Sequence, residues 1–197
     1  LTATQWRGRS HHALERRDVD ILTMGRSGVD IYPLQVGVHL EDVETFGKFL
    51  GGSQRTSQLQ QHARASHRCH HRGGGRSFGR FVTRELEHLG VSSDHVVTVR
   101  DFHTPVTFTE LFPPDSFPLY FYREPSAPDL ELAEDQIDWG AVERAEIFWF
   151  TVTGLSRNSS FDLHLRALDH RGPSSGLTIL DLDYRSNLWS SMAQARS

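Results

Sequence analysis

The chain has 197 residues, 37% hydrophobic and 23% charged, which suits one globular domain with a buried core and leaves little for a second. A net charge of -4 gives no global attraction to nucleic acid or to an anionic membrane, and a single cysteine, Cys69, excludes a disulfide framework. No run approaches the roughly 20 apolar residues of a membrane span, and Leu1 to Arg17 lacks the apolar stretch of a secretory signal, so a cytoplasmic protein with an unstructured extension over 1–17 is expected.

Val19 to Met24 reads as a short buried strand ending at Gly25. The following GRSGVD, Gly25 to Asp30, reads as a loop beyond a strand end, where two glycines admit close backbone approach and Asp30 can accept hydrogen bonds from hydroxyls. Leu40, Val43, Phe46 and Leu50 recur at helical spacing, predicting a helix stopped by Gly51 and Gly52. Gln54 to Arg76 differs from both flanks: it holds five arginines and four histidines, no acidic residue, and only Leu59 as an aliphatic residue larger than alanine. With neither a helical nor an alternating apolar face it is expected to be disordered. His67, Cys69, His70 and His71 match no common zinc spacing, and the arginines lack interleaved aromatics, so neither a metal nor a nucleic-acid site is expected there.

Downstream, Phe78, Phe81, Val82, Leu86 and Leu89 line one helix face, with Gly90 placed to end the helix. Val96 to Val99 is a predicted strand. Thr104 to Phe112 and Phe117 to Arg123 flank the turn-forming Pro113 to Ser116 and read as an antiparallel pair. Ile147 to Val152 is an apolar strand. Ser159 can cap a helix carrying Phe161, Leu165 and Leu168 that ends at Gly172, and Leu177 to Leu182 is a further strand. Strand, helix, strand predicts a right-handed crossover and a parallel sheet. Asp181, Asp183 and Arg185 of DLDYR follow its last strand, where ligands of open parallel sheets bind. Taken singly, each candidate has an ordinary reading: Asp30 as a turn residue, Gly51 as a helix stop, Asp183 with Arg185 as a surface ion pair. A sheet of so few strands leaves an open apolar edge, so the front part of a longer α/β protein is expected.

In this order, the stretches ILTMGRSGVDIYPLQVGVHLEDVETFGKFLGGS, FGRFVTRELEHLGV, TPVTFTELFPPDSFPLYFYREPSAPDLEL and TILDLDYRSNLW resemble the ribokinase/PfkB family of carbohydrate kinases. They cover most of Asp18 to Trp189, and the stretch ending in REPSAPDL is the most specific. The resemblance implies an α/β fold: a ribokinase-like parallel sheet flanked by helices over 18–197, incomplete at its C-terminal side, with a small antiparallel β lid at about 101–130. It implies transfer of the ATP γ-phosphoryl to a hydroxyl of a sugar acid, with Mg²⁺ accompanying the nucleotide. The substrate-binding residues it implies are Asp30, Gly51 and Gly52 for sugar hydroxyls, Tyr122 and Arg123 from the lid, and Asp183 and Arg185 on the pocket floor. A homodimer through the lid is a further implication.

Two departures stand out. The family's Gly-Gly-x-x-x-Asn becomes Gly51, Gly52, Ser53, Gln54, Arg55 and Thr56, without the asparagine, and the Gly-Ala-Gly-Asp motif that carries the catalytic base has no counterpart here. No catalytic residue is therefore assigned, and this polypeptide is not expected to phosphorylate sugars. The foreign character of 54–76 fits a frameshift. Codons for Gln54 to Ala63 regrouped one nucleotide earlier can spell Pro-Thr-Asn-Val-Ala-Val-Ala-Ala-Ala-Arg, which restores the asparagine in place of Thr56 and an amphipathic helix. Codons for Arg68 to Ser77 regrouped one nucleotide later can spell a buried strand. A non-catalytic fragment or pseudogene product, and a sugar-binding module without phosphoryl transfer, are the alternatives.

Overall fold

The computed structural model describes residues 19–52, 65–69, 77–97, 102–122, 126–172 and 176–196. Within them the strands are β1 (Ile21–Gly25), β2 (Ser27–Pro33), β3 (Phe46–Gly52), β4 (Ala65–Cys69), β5 (Val106–Thr109), β6 (Leu119–Tyr122), β7 (Ile147–Thr151) and β8 (Leu177–Asp181). The helices are α1 (Ser77–His88), α2 (Trp139–Arg144), α3 (Asn158–Arg171) and α4 (Met192–Arg196). The extension over 1–17 and the segments 54–64 and 70–76 lie outside the described residues.

Leu22 and Met24 point to one face of β1 and Thr23 to the other, and all three are buried, so this strand is central in its sheet. Its neighbours are β4 and β7, and β7 pairs in turn with β8; every pairing is parallel, giving the order β4-β1-β7-β8. One face of this sheet buries Leu22, Met24, Phe148 and Phe150 against Val142 and Ala145 at α2 and Leu163 and Ala167 of α3. Asp138 starts α2 by accepting a hydrogen bond from the Ala141 amide at 3.0 Å. The outer strand β8 exposes Leu177, Ile179 and Leu180, which is the open apolar edge the sequence predicted.

Of the face expected for α3, Leu168 packs partly buried against the core and the other two residues do not. Phe161 and Leu165 are exposed, whereas Ser160, Leu163, His164, Ala167 and Arg171 turn inward. Three of these five are polar and are buried because they find partners. The His164 ring nitrogen Nδ1 lies 2.7 Å from the Ser160 carbonyl, and Arg171 donates to the carbonyls of Val142 at 2.6 Å and Leu177 at 3.1 Å. Periodicity counted on apolar residues alone passes over such a face.

A single residue, Arg26, separates β1 from β2, so the chain steps directly from the parallel sheet into a second one of order β3-β2-β5-β6. The predicted loop after Gly25 is thus a strand. Val29 and Ile31 alternate with Gly28, Asp30 and Tyr32, and the apolar set packs with Leu50 and Val106 onto Phe81, Val82 and Leu86 of α1. The predicted helix before Gly51 is also a strand: only Leu40–Asp42 makes a 3-10 turn, and Phe46–Gly52 pairs antiparallel with β2. Three glycines in FGKFLGG weaken a helix, and tertiary pairing decides the outcome.

The antiparallel pair expected around Pro113 to Ser116 is present as β5 and β6, and Gly90, at φ +77°, ends α1 as predicted. Of the strand expected at Val96 to Val99, Val97 makes only a single bridge, and Thr98 and Val99 fall outside the described residues. The disorder expected across 54–76 is corrected at Ala65–Cys69, which extends the parallel sheet as β4. No helix among the described residues is long and apolar enough to cross a membrane.

Candidate functional site

Strand register sets the site. Asp30 on β2 stands opposite Phe49 on β3 and Thr107 on β5, and Thr107 stands opposite Phe121 on β6. Directly paired residues share a face, so Phe49, Asp30, Thr107 and Phe121 form one row across the second sheet, on the side away from α1. Gly51 lies two residues from Phe49 on the same face, and the Asp30 carboxylate packs over its α-carbon so closely that a β-carbon there would collide with both carboxylate oxygens. Gly52, at φ +109°, sits against the Arg26 carbonyl and Ser27 backbone, a conformation and a clearance that only glycine meets. The pair of glycines therefore does two jobs: Gly51 seats the Asp30 carboxylate, and Gly52 lets β3 close on the β1–β2 junction.

The other half of the site comes from the parallel sheet. Beyond β8, Asp183 pairs with Arg185 at 2.6 Å, and the Thr153 hydroxyl donates to the Asp183 carbonyl at 3.3 Å. The surface ion pair read from the sequence exists, but it is not isolated on the surface. The Arg185 guanidinium lies 5.9 Å from the Phe121 ring centroid, and Arg26 lies 5.8 Å from the same ring while its Nη1 donates to Thr107 at 3.3 Å. Phe121 thus joins the residues after β8 to the row that contains Asp30. Contacts through Phe121 therefore connect Arg185, the partner of Asp183, with Arg26, whose carbonyl packs on Gly52, and with the row that holds Asp30, seated on Gly51.

One lid expectation changes. Tyr122 is 67% exposed and lies on the opposite face, where it packs edge-on against Phe108, so the lid residue on the face of Asp30 is its neighbour Phe121. Register explains this, because one step along a strand reverses the face. Arg123 lies outside the described residues. Sequence reading also passed over Arg26, Thr107 and Phe121. Arg26 stood in plain view within GRSGVD, but its use depends on a cross-sheet contact to a ring about 95 positions later in the chain.

The base of the lid is fixed by Glu110. Its buried carboxylate accepts from the Leu40 amide at 3.0 Å and the Tyr120 hydroxyl at 3.2 Å, and its Oε1 lies 3.3 Å from a His39 ring nitrogen. The Leu40 hydrogen bond holds the Glu110 carboxyl below the ordinary carboxylate range, with His39 and Tyr120 adding to it against the opposing effect of burial. Residues 39–40 and both lid strands are thereby tied to one side chain.

Chemically, this arrangement of side chains can serve a polyol. A carboxylate accepts hydrogen bonds from neighbouring hydroxyls, bare glycine backbone lets a sugar ring approach, and an aromatic ring offers a face to its C–H groups. No group of three or more His, Cys, Asp or Glu side chains able to hold a metal ion is found among the described residues.

No family model matches the chain. It is 28% identical over 180 residues to a 5-dehydro-2-deoxygluconokinase of Shouchella clausii, covering 90% of this chain and 55% of that protein. It is 29% identical over 184 residues to one of Photobacterium profundum, covering 88% and 52%. The chain spans about half the length of the curated relatives it matches. Among solved structures, a sugar kinase from Pyrococcus horikoshii in complex with ATP aligns with TM-score 0.75 and 25% identity, over 88% of this chain and 56% of that one. A PfkB protein from Polaromonas sp. JS666 aligns with TM-score 0.78 at 20% identity, over 90% and 60%. The fold is ribokinase-like.

Proposed function

We propose that this chain, similar in sequence and fold to the PfkB carbohydrate kinases, forms the sugar-gripping part of a kinase that transfers the ATP γ-phosphoryl to a sugar acid of the 5-dehydro-2-deoxygluconate type. The observation that carries the reading is the Asp30 carboxylate seated on Gly51 in one row with Thr107 and Phe121. In this reading Asp30 accepts from two sugar hydroxyls and fixes the ring's orientation, which is most of what an enzyme of this class contributes to phosphoryl transfer. Gly51 and Gly52 line the ring, Phe121 covers it from the lid, and the Asp183–Arg185 pair forms the floor. Curated relatives carrying the 5-dehydro-2-deoxygluconokinase name support the substrate class.

ATP and Mg²⁺ belong to the family reaction. Mg²⁺ usually takes one or two carboxylates plus the substrate's phosphates, and neither it nor ATP is assigned residues of this chain. Of the candidate site's carboxylates, Asp30 is committed to hydroxyls and Asp183 to Arg185, which leaves neither as a base for the attacking hydroxyl. Sugar binding without phosphoryl transfer is therefore the expected behaviour of these 197 residues alone. Calorimetric titration with 5-dehydro-2-deoxygluconate tests the reading: saturable binding that weakens sharply in Asp30→Asn supports it, and no binding overturns it. ATP-dependent turnover by the same purified chain would overturn the assignment of Asp30 and Asp183.

A further inference from the structure

We infer that His164 is a positioning residue for the floor of the site: its neutral ring seats the turn that carries Thr153, and protonating the ring releases Asp183 and Arg185, so that sugar-acid binding weakens in acid. The inference rests on the sugar-kinase reading above. His164 lies on the buried face of α3, with Nδ1 2.7 Å from the Ser160 carbonyl. A carbonyl only accepts, so Nδ1 carries the proton and, in the neutral ring, Nε2 is bare. Nε2 is buried and makes no hydrogen bond. Its neighbour is the backbone of Gly154: a β-carbon there would stand 2.5 Å from both Cε1 and Nε2, so only glycine lets the turn sit flush on the ring edge.

Gly154 belongs to the 3-10 turn Val152–Leu155 that leaves β7. Its neighbour Thr153 donates to the Asp183 carbonyl at 3.3 Å, Asp183 pairs with Arg185 at 2.6 Å, and Arg185 lies 5.9 Å from the Phe121 ring. An unbroken run of contacts thus leads from the imidazole to the lid. The groups around the ring decide what a proton on it does. Phe150 of β7, with its ring centroid 5.5 Å away, and Gly154 carry no charge, whereas β1 offers the Met24 carbonyl and the 3-10 turn Pro128–Leu130 offers the Asp129 carboxylate. On α3 the next inward charge, Arg171, is engaged with the carbonyls of Val142 and Leu177. A proton on Nε2 is therefore drawn toward the Met24 carbonyl and Asp129, which turns the ring edge off its seat on Gly154. Burial outweighs the Ser160 hydrogen bond, Asp129 and Met24 and holds the imidazole below 6.5, so the ring is neutral at pH 7 and titrates in acid.

The test pairs NMR with calorimetry on the 197-residue chain, His164→Gln and Gly154→Ala, from about pH 8 to about pH 5. The His164 ring protons report its own titration. The backbone amides of Thr153, Asp183 and Arg185 should shift with that same midpoint, and Kd for 5-dehydro-2-deoxygluconate should rise below it, approaching about tenfold per pH unit. His164→Gln should abolish both responses. Gly154 is not among the glycines with positive φ, so its backbone accepts alanine while the methyl meets the ring edge; at neutral pH this variant should already shift the same amides and weaken binding by about 2- to 12-fold, the equivalent of one hydrogen bond. Should His164→Gln fail to fold, the unsubstituted titration and Gly154→Ala decide. A ring that titrates without moving Thr153 or Asp183, a ring that stays neutral down to acid unfolding, or an unchanged pH response in His164→Gln would overturn the inference. So would Gly154→Ala leaving those amides and the binding as they were. Binding of no sugar acid at any pH, with the amides still following the ring, would instead sink the sugar-kinase reading itself.

Discussion

Replacing Gly51 with alanine isolates the seat of the Asp30 carboxylate from the stability of the fold. Gly51 is not among the glycines with positive φ, so its backbone accepts alanine, and the atoms nearest the added methyl belong to the Asp30 carboxylate, which can turn. Turning it off its preferred rotamer costs about 0.5 to 1.5 kcal/mol, a fall of roughly 1 to 6 °C in melting temperature for a chain of this size. The displaced carboxylate loses at least one hydrogen bond to a sugar hydroxyl. A charged hydrogen bond contributes about 1.5 to 3 kcal/mol, so Kd for the sugar acid should rise about 10- to 150-fold. Gly52→Ala is the contrast: at φ +109° and against the Arg26 carbonyl, it should cost about 1 to 3 kcal/mol of stability through strain. Calorimetry paired with thermal melts reads both. Gly51→Ala binding the acid as tightly as the unsubstituted chain would refute the placement of Asp30 as the hydroxyl acceptor.

Other outcomes follow from particular groups. Because the Glu110 carboxyl is held below its ordinary value of 4.5, its stabilisation of the lid base is complete above that pH and is lost as pH falls through the folded value. Thermal melts should therefore decline in acid below about pH 4.5, and Glu110→Gln should show a shallower decline there. Burial depresses the His164 imidazole below 6.5, so the unfolded chain binds its proton first and stability should fall as pH drops below that value; His164→Leu should flatten the slope in this window. The outer lid face exposes Phe46 and Tyr122, and if copies pair through it, sedimentation should detect a dimer that Tyr122→Lys disperses.

Much of the architecture was legible because it depends on local signals. The apolar runs at Ile147 and Leu177, the Pro-rich turn between the lid strands and the glycine after α1 each acted within a few residues of themselves. The misreadings have a common cause in distance. Phe46–Gly52 carries helical spacing by coincidence, and pairing with β2 overrides it. The inner face of α3 is polar because His164 and Arg171 reach carbonyls and the Ser160 hydroxyl meets the His164 ring, which no count of apolar residues reveals. Within the candidate site, Asp30, Gly51 and Gly52 were named through the family resemblance, and the structure adds that the Asp30 carboxylate packs on Gly51. The row joining Asp30 to Phe121, and the choice of Phe121 over Tyr122, depend on register across two strand pairings, which sequence periodicity leaves open.

The most direct measurement is an NMR titration of the chain with 5-dehydro-2-deoxygluconate, following backbone amides. Gly51, Gly52, Thr107, Phe121 and Asp183 should shift together with one dissociation constant, since the two sheets present them to a single molecule. Shifts that leave either the Asp30–Gly51 side or the Asp183–Arg185 side untouched at saturation would contradict a shared site.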